Sequence, residues 1–494
     1  MSALSAISGC CWPDSLPEID FPSLSGHCAC EVAVIGAGIA GLSTALALCE
    51  AGKSVVVLEA RKVGRQVTGL STAKVTTQHG LIYRDLIGKA GRATAQAYAD
   101  ANRQALQRIA DWVEQYAIDC DFQRRSAYVY SLSEKQDSAL VGEAEAARSL
   151  GLEARVQARA PLPFAISSAL EFPQQAQFNP ARYLLGLAQA VQVQGGRIFE
   201  GTRATGFEHQ ERWQIVFDGG VLSAEQLVIA THMPVTTPVD YISPTQPRCH
   251  VAIAFRPDED GALDGMFISA DEPTHSIRMA QDQNGPLILV LGPRFNTGQD
   301  GDVAQRFVEL EQWARQHLPV QEAVWRWCNE DYDTPDRMAY VGEPDSKQAP
   351  GLYLATGFSA WGITNGTAAG LGLARQIVSG SWPWGNLFDP NRKAGEDLNQ
   401  SSDSHTLIDD LQLLEPGQGG VISCGDDDKL AVWRDNQGAL HALSAACTHM
   451  GCAVTWNNAD RTWDCPCHGS IFEADGQVRH GPAHEPLAKR SLPE

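Results

Sequence analysis

The stretch that most constrains the fold runs from Glu31 to Ala60 and reads EVAVIGAGIAGLSTALALCEAGKSVVVLEA. Val32–Ile35 is a short apolar run of strand length, Ala40–Ala51 is rich in Ala and Leu and predicts a helix, and Ser54–Leu58 is a second β-branched strand. A βαβ unit of this size commits the two strands to a parallel sheet with the helix crossing over one face. Between strand and helix stand Gly36, Gly38 and Gly41. The first suits a tight turn, the second lets backbone approach a pyrophosphate, and the third lets helix and sheet pack closely. Glu59, eighteen residues past Gly41, ends the second strand where a carboxylate can take ribose hydroxyls. A dinucleotide with its phosphates at the helix N-terminus is the expected ligand.

A second constraint lies near the other end. Cys447-Thr448-His449 and Cys465-Pro466-Cys467-His468 each mix thiol and imidazole, and fifteen residues separate them. Around them run short alternating segments broken by Gly, Asp and Asn, the text of a small all-β domain. Two thiolates and two imidazoles suit a [2Fe–2S] cluster, with both sulfurs on one iron and both nitrogens on the other. Zinc also accepts two Cys and two His, although zinc-finger sequences usually keep the cysteines on one knuckle and the histidines on a helix.

Between these ends, strand-like and helix-like stretches alternate to about Gly380, which indicates an α/β body. The expected division is an irregular N-terminal arm (1–30), a cofactor-binding body (31–381), a polar linker (382–405) and the all-β domain (406–494). Within the body, 31–87, 151–240 and 330–381 are assigned to cofactor binding, and 88–150 and 241–329 to an inserted α+β substrate domain. With 38 basic and 59 acidic residues the formal charge is −21, which argues against nucleic acid or anionic lipid as partner. No apolar run approaches the roughly 20 residues of a bilayer span. No Lys or Arg precedes Lys53, so the basic region of an export signal is missing and a cytoplasmic protein without membrane anchor is expected. In such a compartment clustered cysteines favour metal or redox chemistry over a disulfide framework. Cys10, Cys11, Cys28 and Cys30 have only His27 as a companion, so a surface arm is the reading there.

Several downstream segments resemble, in order, the glycine oxidase/D-amino-acid oxidase family of FAD enzymes. ARKVGRQVTGLSTAKVTTQHG after Glu59 resembles that family's flavin-contacting loop. Phe178–Glu208 resembles the helix and strand leading to the adenine pocket. LVIATHMP (Leu227–Pro234) resembles a strand-end ATG motif with His232 in place of the usual Gly. TPDRMAYVGEP (Thr334–Pro344) and Gly351–Ala374 resemble the segment that closes over the flavin. The resemblance implies FAD, with Ser71, Thr72, Lys74 and Thr231 lining it. Gly357, Trp361, Gly362, Ile363 and Thr364 open a Gly/Ala-rich helix whose dipole would favour a reduced, anionic flavin. Lys74 is the candidate catalytic residue. Gln78, His79 and Tyr83 are candidate lining, and Arg278, Arg294 and Arg337 are equal candidates for a substrate carboxylate. Covalent members use a cysteine before the TPD motif; Cys328 is one residue out of register, so noncovalent FAD is expected.

The C-terminal loops, with Gly481–Ala483, resemble the Rieske family. That resemblance implies cluster ligation by Cys447, His449, Cys465 and His468, and a disulfide between Cys452 and Cys467 of the kind found in electron-transfer members. Ser470 would donate to a cluster sulfur. Phe472 stands where high-potential members have Tyr, and one fewer hydrogen bond to sulfur implies a mid-range potential. Together the two resemblances imply a flavin dehydrogenase or oxidase acting on a C–N bond of a small amine or amino acid. The cluster would pass electrons to an external one-electron acceptor. Reverse flow from an external donor, for reduction or monooxygenation, and a non-enzymatic carrier or sensor remain alternatives. Oligomeric state is left open.

Overall fold

The computed structural model describes residues 6–13, 16, 19–235, 244–259, 261–299, 301–395, 407, 408, 410–425 and 428–492. The glycine-rich unit forms as its sequence predicts. Strand Gly26–Ile35 lies parallel to Val55–Leu58, pairing Val32 with Val55 and Ile35 with Leu58, and helix Ile39–Glu50 crosses between them. Further parallel strands, Gly220–Ile229 and Leu352–Thr356 on one side and Arg197–Phe199 on the other, complete the core of an eight-stranded sheet. Val55–Leu58 is buried at every position, the continuous apolar pattern of a strand covered on both faces.

Helix Gly362–Ser379 packs on helix Ile39–Glu50 through its small residues. A Cβ on Gly366 would meet Ile39 Cγ2 at 2.7 Å, and one on Gly370 would meet the Thr44 nitrogen at 2.8 Å. Its Gly/Ala richness therefore serves close helix packing, while its N-terminal end remains at the ligand pocket. Helix Pro180–Val193 starts from Asn179, whose side chain accepts from the Ala181 and Arg182 N–H groups, with Pro at the first helical position.

A second, eleven-stranded mixed sheet includes Gln123–Ser131, Ser168–Gln177, Gln246–Pro257, Met266–Ser269, Ser276–Asp282, Gly285–Leu291 and Val320–Asp333. Two parts of the expected division change. Strand Ser168–Gln177 pairs with Gln123–Ser131, so it belongs to this second sheet rather than to the cofactor-binding part. The helical stretch Arg92–Gln115, read as substrate-facing, buries Tyr98, Ala105, Ile109 and Trp112 in one core with the glycine-rich unit.

The N-terminal arm is not an irregular surface segment. Ile7–Ser8 adds a short parallel strand against Trp325–Arg326, and Gly26–Cys30 extends the first strand of the parallel sheet against Gly220–Ala224. Cys10, Cys11 and Trp12 are buried, and Trp12 Nε1 donates to the Ser71 carbonyl at 2.9 Å. Burying a side chain of that size stabilises by roughly 2–3 kcal/mol, enough to hold a short segment in place. The linker assignment also changes in its first half. Trp382 and Phe388 stack with ring centroids 5.1 Å apart, and the Arg392 guanidinium pairs with Asp336 at 2.7 Å. Residues 382–395 thus pack on the body because they carry aromatic and ionic anchors; 396–405 lie outside the described residues.

The C-terminal domain is two four-stranded antiparallel sheets. One holds Gly419–Ser423, Lys429–Arg434, Leu440–Ser444 and Lys489–Arg490; the other holds Thr455–Asn457, Thr462–Asp464, Ile471–Glu473 and Val478–His480. Among the described residues no helix is long and apolar enough to cross a membrane.

Candidate cofactor sites

A cavity of about 500 Å³ runs from Gly36, Gly38 and Glu59 to Trp361, Gly362 and Ile363. At its first end Gly36 has φ +101°, and a Cβ there would meet the Ala230 carbonyl oxygen at 2.5 Å. A Cβ on Gly41 would lie 1.9 Å from the Gly36 carbonyl oxygen, so strand and helix approach as only glycine allows. At the start of helix Ile39–Glu50 the N-cap position is Gly38, which has no side chain to cap the turn, and the Thr68 hydroxyl accepts from the Ile39 N–H at 3.3 Å. The Glu59 carboxylate accepts from the Ala37 N–H at 2.9 Å and the Arg61 N–H at 2.8 Å, and burial raises its pKa. This groove fits a dinucleotide: a glycine cradle, a helix N-terminus and a carboxylate lie along one wall.

Ser71, Thr72 and Lys74 line the cavity, as does Thr231, whose hydroxyl donates to the Met233 carbonyl. Lys74 is buried. Its Nζ donates to the Phe267 carbonyl at 2.6 Å and to the Ser276 hydroxyl, and burial beside Arg278 pulls its pKa down to about 7. Gly357 (φ +75°) and Thr364 stand behind the wall rather than on it. A Cβ on Gly357 would strike Thr334 Cγ2 at 2.5 Å, and the Thr364 hydroxyl donates to the Thr76 carbonyl. His232 adopts φ +70°, the left-handed conformation suited to the glycine usual in that motif, with its carbonyl accepting from the Thr356 hydroxyl.

Gln78, His79 and Tyr83 do not reach the cavity. The His79 ring is buried between the Tyr98 hydroxyl at 2.6 Å and the Thr76 carbonyl at 2.8 Å, and burial lowers its pKa to about 3. It stacks on Trp361 with centroids 4.9 Å apart, supporting the wall from behind. Tyr83 donates to the Thr77 carbonyl, and Gln78 is buried with its amide reaching the Gly80 carbonyl. The three arginine candidates separate. Arg278 is occupied by the carbonyls of Ala73, Phe178 and Met279 and lies over the Trp12 ring, which makes it a packing residue. Arg294 lines the cavity and pairs with Asp333 at 2.7 Å. Arg337 donates to the His79 carbonyl and borders a neighbouring cavity of about 290 Å³.

The metal-type residues also converge. Cys447 and Cys465 are buried, and the His449 and His468 rings have centroids 4.8 Å apart. The backbone N–H groups of His449 and Met450 and the Ser470 hydroxyl face the Cys447 sulfur, and the N–H groups of Cys467 and His468 face that of Cys465. Ser470 Oγ accepts from the Ala483 N–H at 3.0 Å, which leaves its proton free for sulfur. The buried Nδ1 of His449 has no hydrogen-bond partner among the described residues, as a metal-ligating nitrogen requires. Two thiols, imidazole nitrogen and surrounding donors fit a cluster bound by two Cys and two His. Cys452 and Cys467 form a disulfide that ties the two loops together. Phe472 is fully buried and paired with Trp463.

The two sites share a wall. On strand Val320–Asp333, Asn329, Asp331 and Asp333 face the cavity, while Cys328, Glu330 and Tyr332 point to the C-terminal domain. On its antiparallel neighbour Arg248 and His250 face the cavity, and Cys249 points the other way. The Tyr332 hydroxyl donates to the His468 carbonyl at 3.0 Å, and a Cβ on Gly469 would meet Glu330 Oε1 and the Tyr332 hydroxyl at 2.6 Å each. Burial pushes the Glu330 carboxyl well above its usual pKa. Asp331 is also buried, but its bond to His232 and nearby charge hold it below. Val478–His480 packs over the first end of the cavity, with Arg61 donating to the Val478 carbonyl, and Arg479, His480 and Gly481 join the lining. Sequence reading missed Asp331, Tyr332, Arg479 and His480; the alternation of CNEDYD, with acids two apart, is the only local trace of the shared wall.

Residues 31–376 match the family described as FAD dependent oxidoreductase, and residues 406–491 match the Rieske [2Fe-2S] domain. YhfW of Bacillus subtilis, described as a Rieske 2Fe-2S iron-sulfur protein, is 31% identical over 97% of this chain and 97% of its own length. Gamma-glutamylputrescine oxidoreductase of Escherichia coli is 28% identical over 42% of this chain and 50% of its own. The crystal structure of glycine oxidase from Geobacillus kaustophilus superposes with a TM-score of 0.61 and 17% identity, covering 74% of this chain and 99% of that one.

Proposed function

This chain belongs to the FAD-dependent oxidoreductase family and ends in a Rieske [2Fe-2S] domain, and from that premise we propose that it dehydrogenates a C–N bond of a small amine or amino acid and passes the electrons through the cluster to an external acceptor. The observation that carries this reading is the shared wall: one antiparallel ladder presents Asn329 and Asp331 to the FAD cavity and Tyr332 to the cluster loop. Bound FAD accepts electrons in pairs and a Rieske cluster accepts them singly, so side-by-side placement lets a two-electron oxidation leave in single steps. The glycine oxidase fold and the relation to an amine-processing oxidoreductase support the substrate class.

Gly36, Gly38, Gly41 and Glu59 would hold the dinucleotide end. Ser71, Thr72, Lys74, Thr231, Trp361, Gly362 and Ile363 would line the flavin end, with Gly357 and Thr364 setting the wall behind. Lys74, with a pKa pulled to about 7, is poised to hold or release a proton at the cavity surface. Of Arg278, Arg294 and Arg337, Arg294 is the one that lines this cavity and could take a substrate carboxylate. Cys447, His449, Cys465 and His468 would ligate the cluster. His468 sits on the buried side, against Tyr332, whereas the other loop ends in Met450, 53% exposed, where an acceptor can approach.

Anaerobic stopped-flow mixing with a panel of amines and amino acids tests the reading. Flavin bleaching followed by the spectral change of cluster reduction is expected. Bleaching that never reaches the cluster would overturn the proposed route. A flavin reduced only by a reduced ferredoxin would reverse the direction, and no response to either would leave a carrier.

A further inference from the structure

Three residues of the C-terminal domain line the FAD cavity. Arg479 and His480 belong to strand Val478–His480 and Gly481 follows it; the Arg61 guanidinium donates to the Val478 carbonyl. His480 reaches further in. Its Nε2 lies 3.3 Å from His232 Nδ1 on the opposite side of the seam and 3.7 Å from the buried Glu330 carboxylate. The Arg479 guanidinium is oriented by a two-pronged bond to Glu473, at 2.9 and 2.7 Å, so its position is set by its own domain. An oriented guanidinium is the side chain best suited to a phosphate group.

We propose that the electron-accepting domain supplies part of the FAD-binding site, with Arg479 the cation it contributes toward the pyrophosphate half of the dinucleotide and His480 the latch to His232. Cofactor binding and domain docking are then one coupled equilibrium. FAD holds the cluster domain on the body, and the docked domain holds FAD, by the same factor in each direction. A flavin that has lost its electron outlet is thereby also less firmly retained.

The inference rests on the cavity being the FAD site; a full-length chain that bound no flavin would fail at that earlier point. In full-length holoprotein, FAD release on dilution, read by flavin fluorescence, is expected to show a dissociation constant raised about tenfold in Arg479→Ala, a loss of about 1.4 kcal/mol. The electron paramagnetic resonance spectrum of the reduced cluster should be unchanged. Arg479→Lys, which keeps the charge without the two-pronged geometry, is expected to lose less than Arg479→Ala. No loss in Arg479→Ala, or an equal loss in Arg479→Lys, would overturn the proposal. Should the variants fold poorly, hydrogen exchange of the unaltered chain decides. Amides of Val478–Gly481 are expected to gain protection when FAD is added to flavin-depleted protein, and unchanged exchange there refutes the coupling.

Discussion

Lys74 is a buried ammonium beside a buried guanidinium, and its titration has a definite sign. Its pKa falls from 10.5 to about 7 on folding, because burial and Arg278 both disfavour the charge. Below pH 7 both folded and unfolded chains carry the proton and the folded state bears the full penalty. Between pH 7 and 10.5 the unfolded chain binds more protons, so stability rises with pH. Relative to Lys74→Met, the unaltered chain should gain on the order of 2–3 kcal/mol between pH 7 and pH 9, measured by urea denaturation. Parallel pH profiles would show that the ammonium is not desolvated. At the other site Phe472 is buried in the core that also holds Cys447 and Cys465. Phe472→Tyr adds a donor near the ligand sulfurs and should raise the midpoint potential by tens of millivolts in a redox titration; an unmoved or lower value would count against the tuning argument.

Among the elements, the turn from strand Gly26–Ile35 into helix Ile39–Glu50 was readable from its glycines because the constraint is local: a Cβ on Gly41 meets backbone five residues away. Gly41→Ala must separate helix from strand. It should cost about 1–3 kcal/mol as an overpacking change and lower the bound FAD per chain. Thermal unfolding and flavin absorbance check both, and a fully loaded, equally stable variant would contradict the packing argument. The ladder of Gln246–Pro257 with Val320–Asp333 is a different case. Alternation in CNEDYD announces two faces, yet an extended strand obeys the same period whichever way it is turned. Pairing of Arg248 with Asp331 and Cys249 with Glu330 decides that Asp331 faces the cavity and Glu330 faces the C-terminal domain. Likewise Arg278, Arg294 and Arg337 look equivalent as text and diverge only by which carbonyls and acids surround them.

For the molecule as a whole, the proposed electron route crosses the seam between the two domains. A Cβ on Gly298 of the body would lie 2.8 Å from the Asp464 carbonyl of the cluster domain, and its φ of +66° already favours glycine. Gly298→Ala should push the domains apart beside Asp464 and Pro466, the residues that flank Cys465. Flavin-to-cluster electron transfer is expected to slow several-fold in stopped-flow, while the cluster spectrum holds. An unchanged rate would mean the seam tolerates the shift.

Both cofactors are legible in the amino-acid sequence because their binding text is short. Glycine spacing, a carboxylate at a strand end, and Cys/His pairs on two loops express geometry that closes within a few residues. The Cys452–Cys467 pairing followed from resemblance, since spacing leaves other partners open. The N-terminal arm misled because Trp12 and Cys11 find their cores against strands hundreds of residues away. For the same reason the common wall of the two sites, the buried side of His468 and the reach of Arg479 and His480 into the FAD cavity belong to tertiary structure alone. They join residues about 140 to 420 positions apart, and only the packing of finished domains brings such residues into contact.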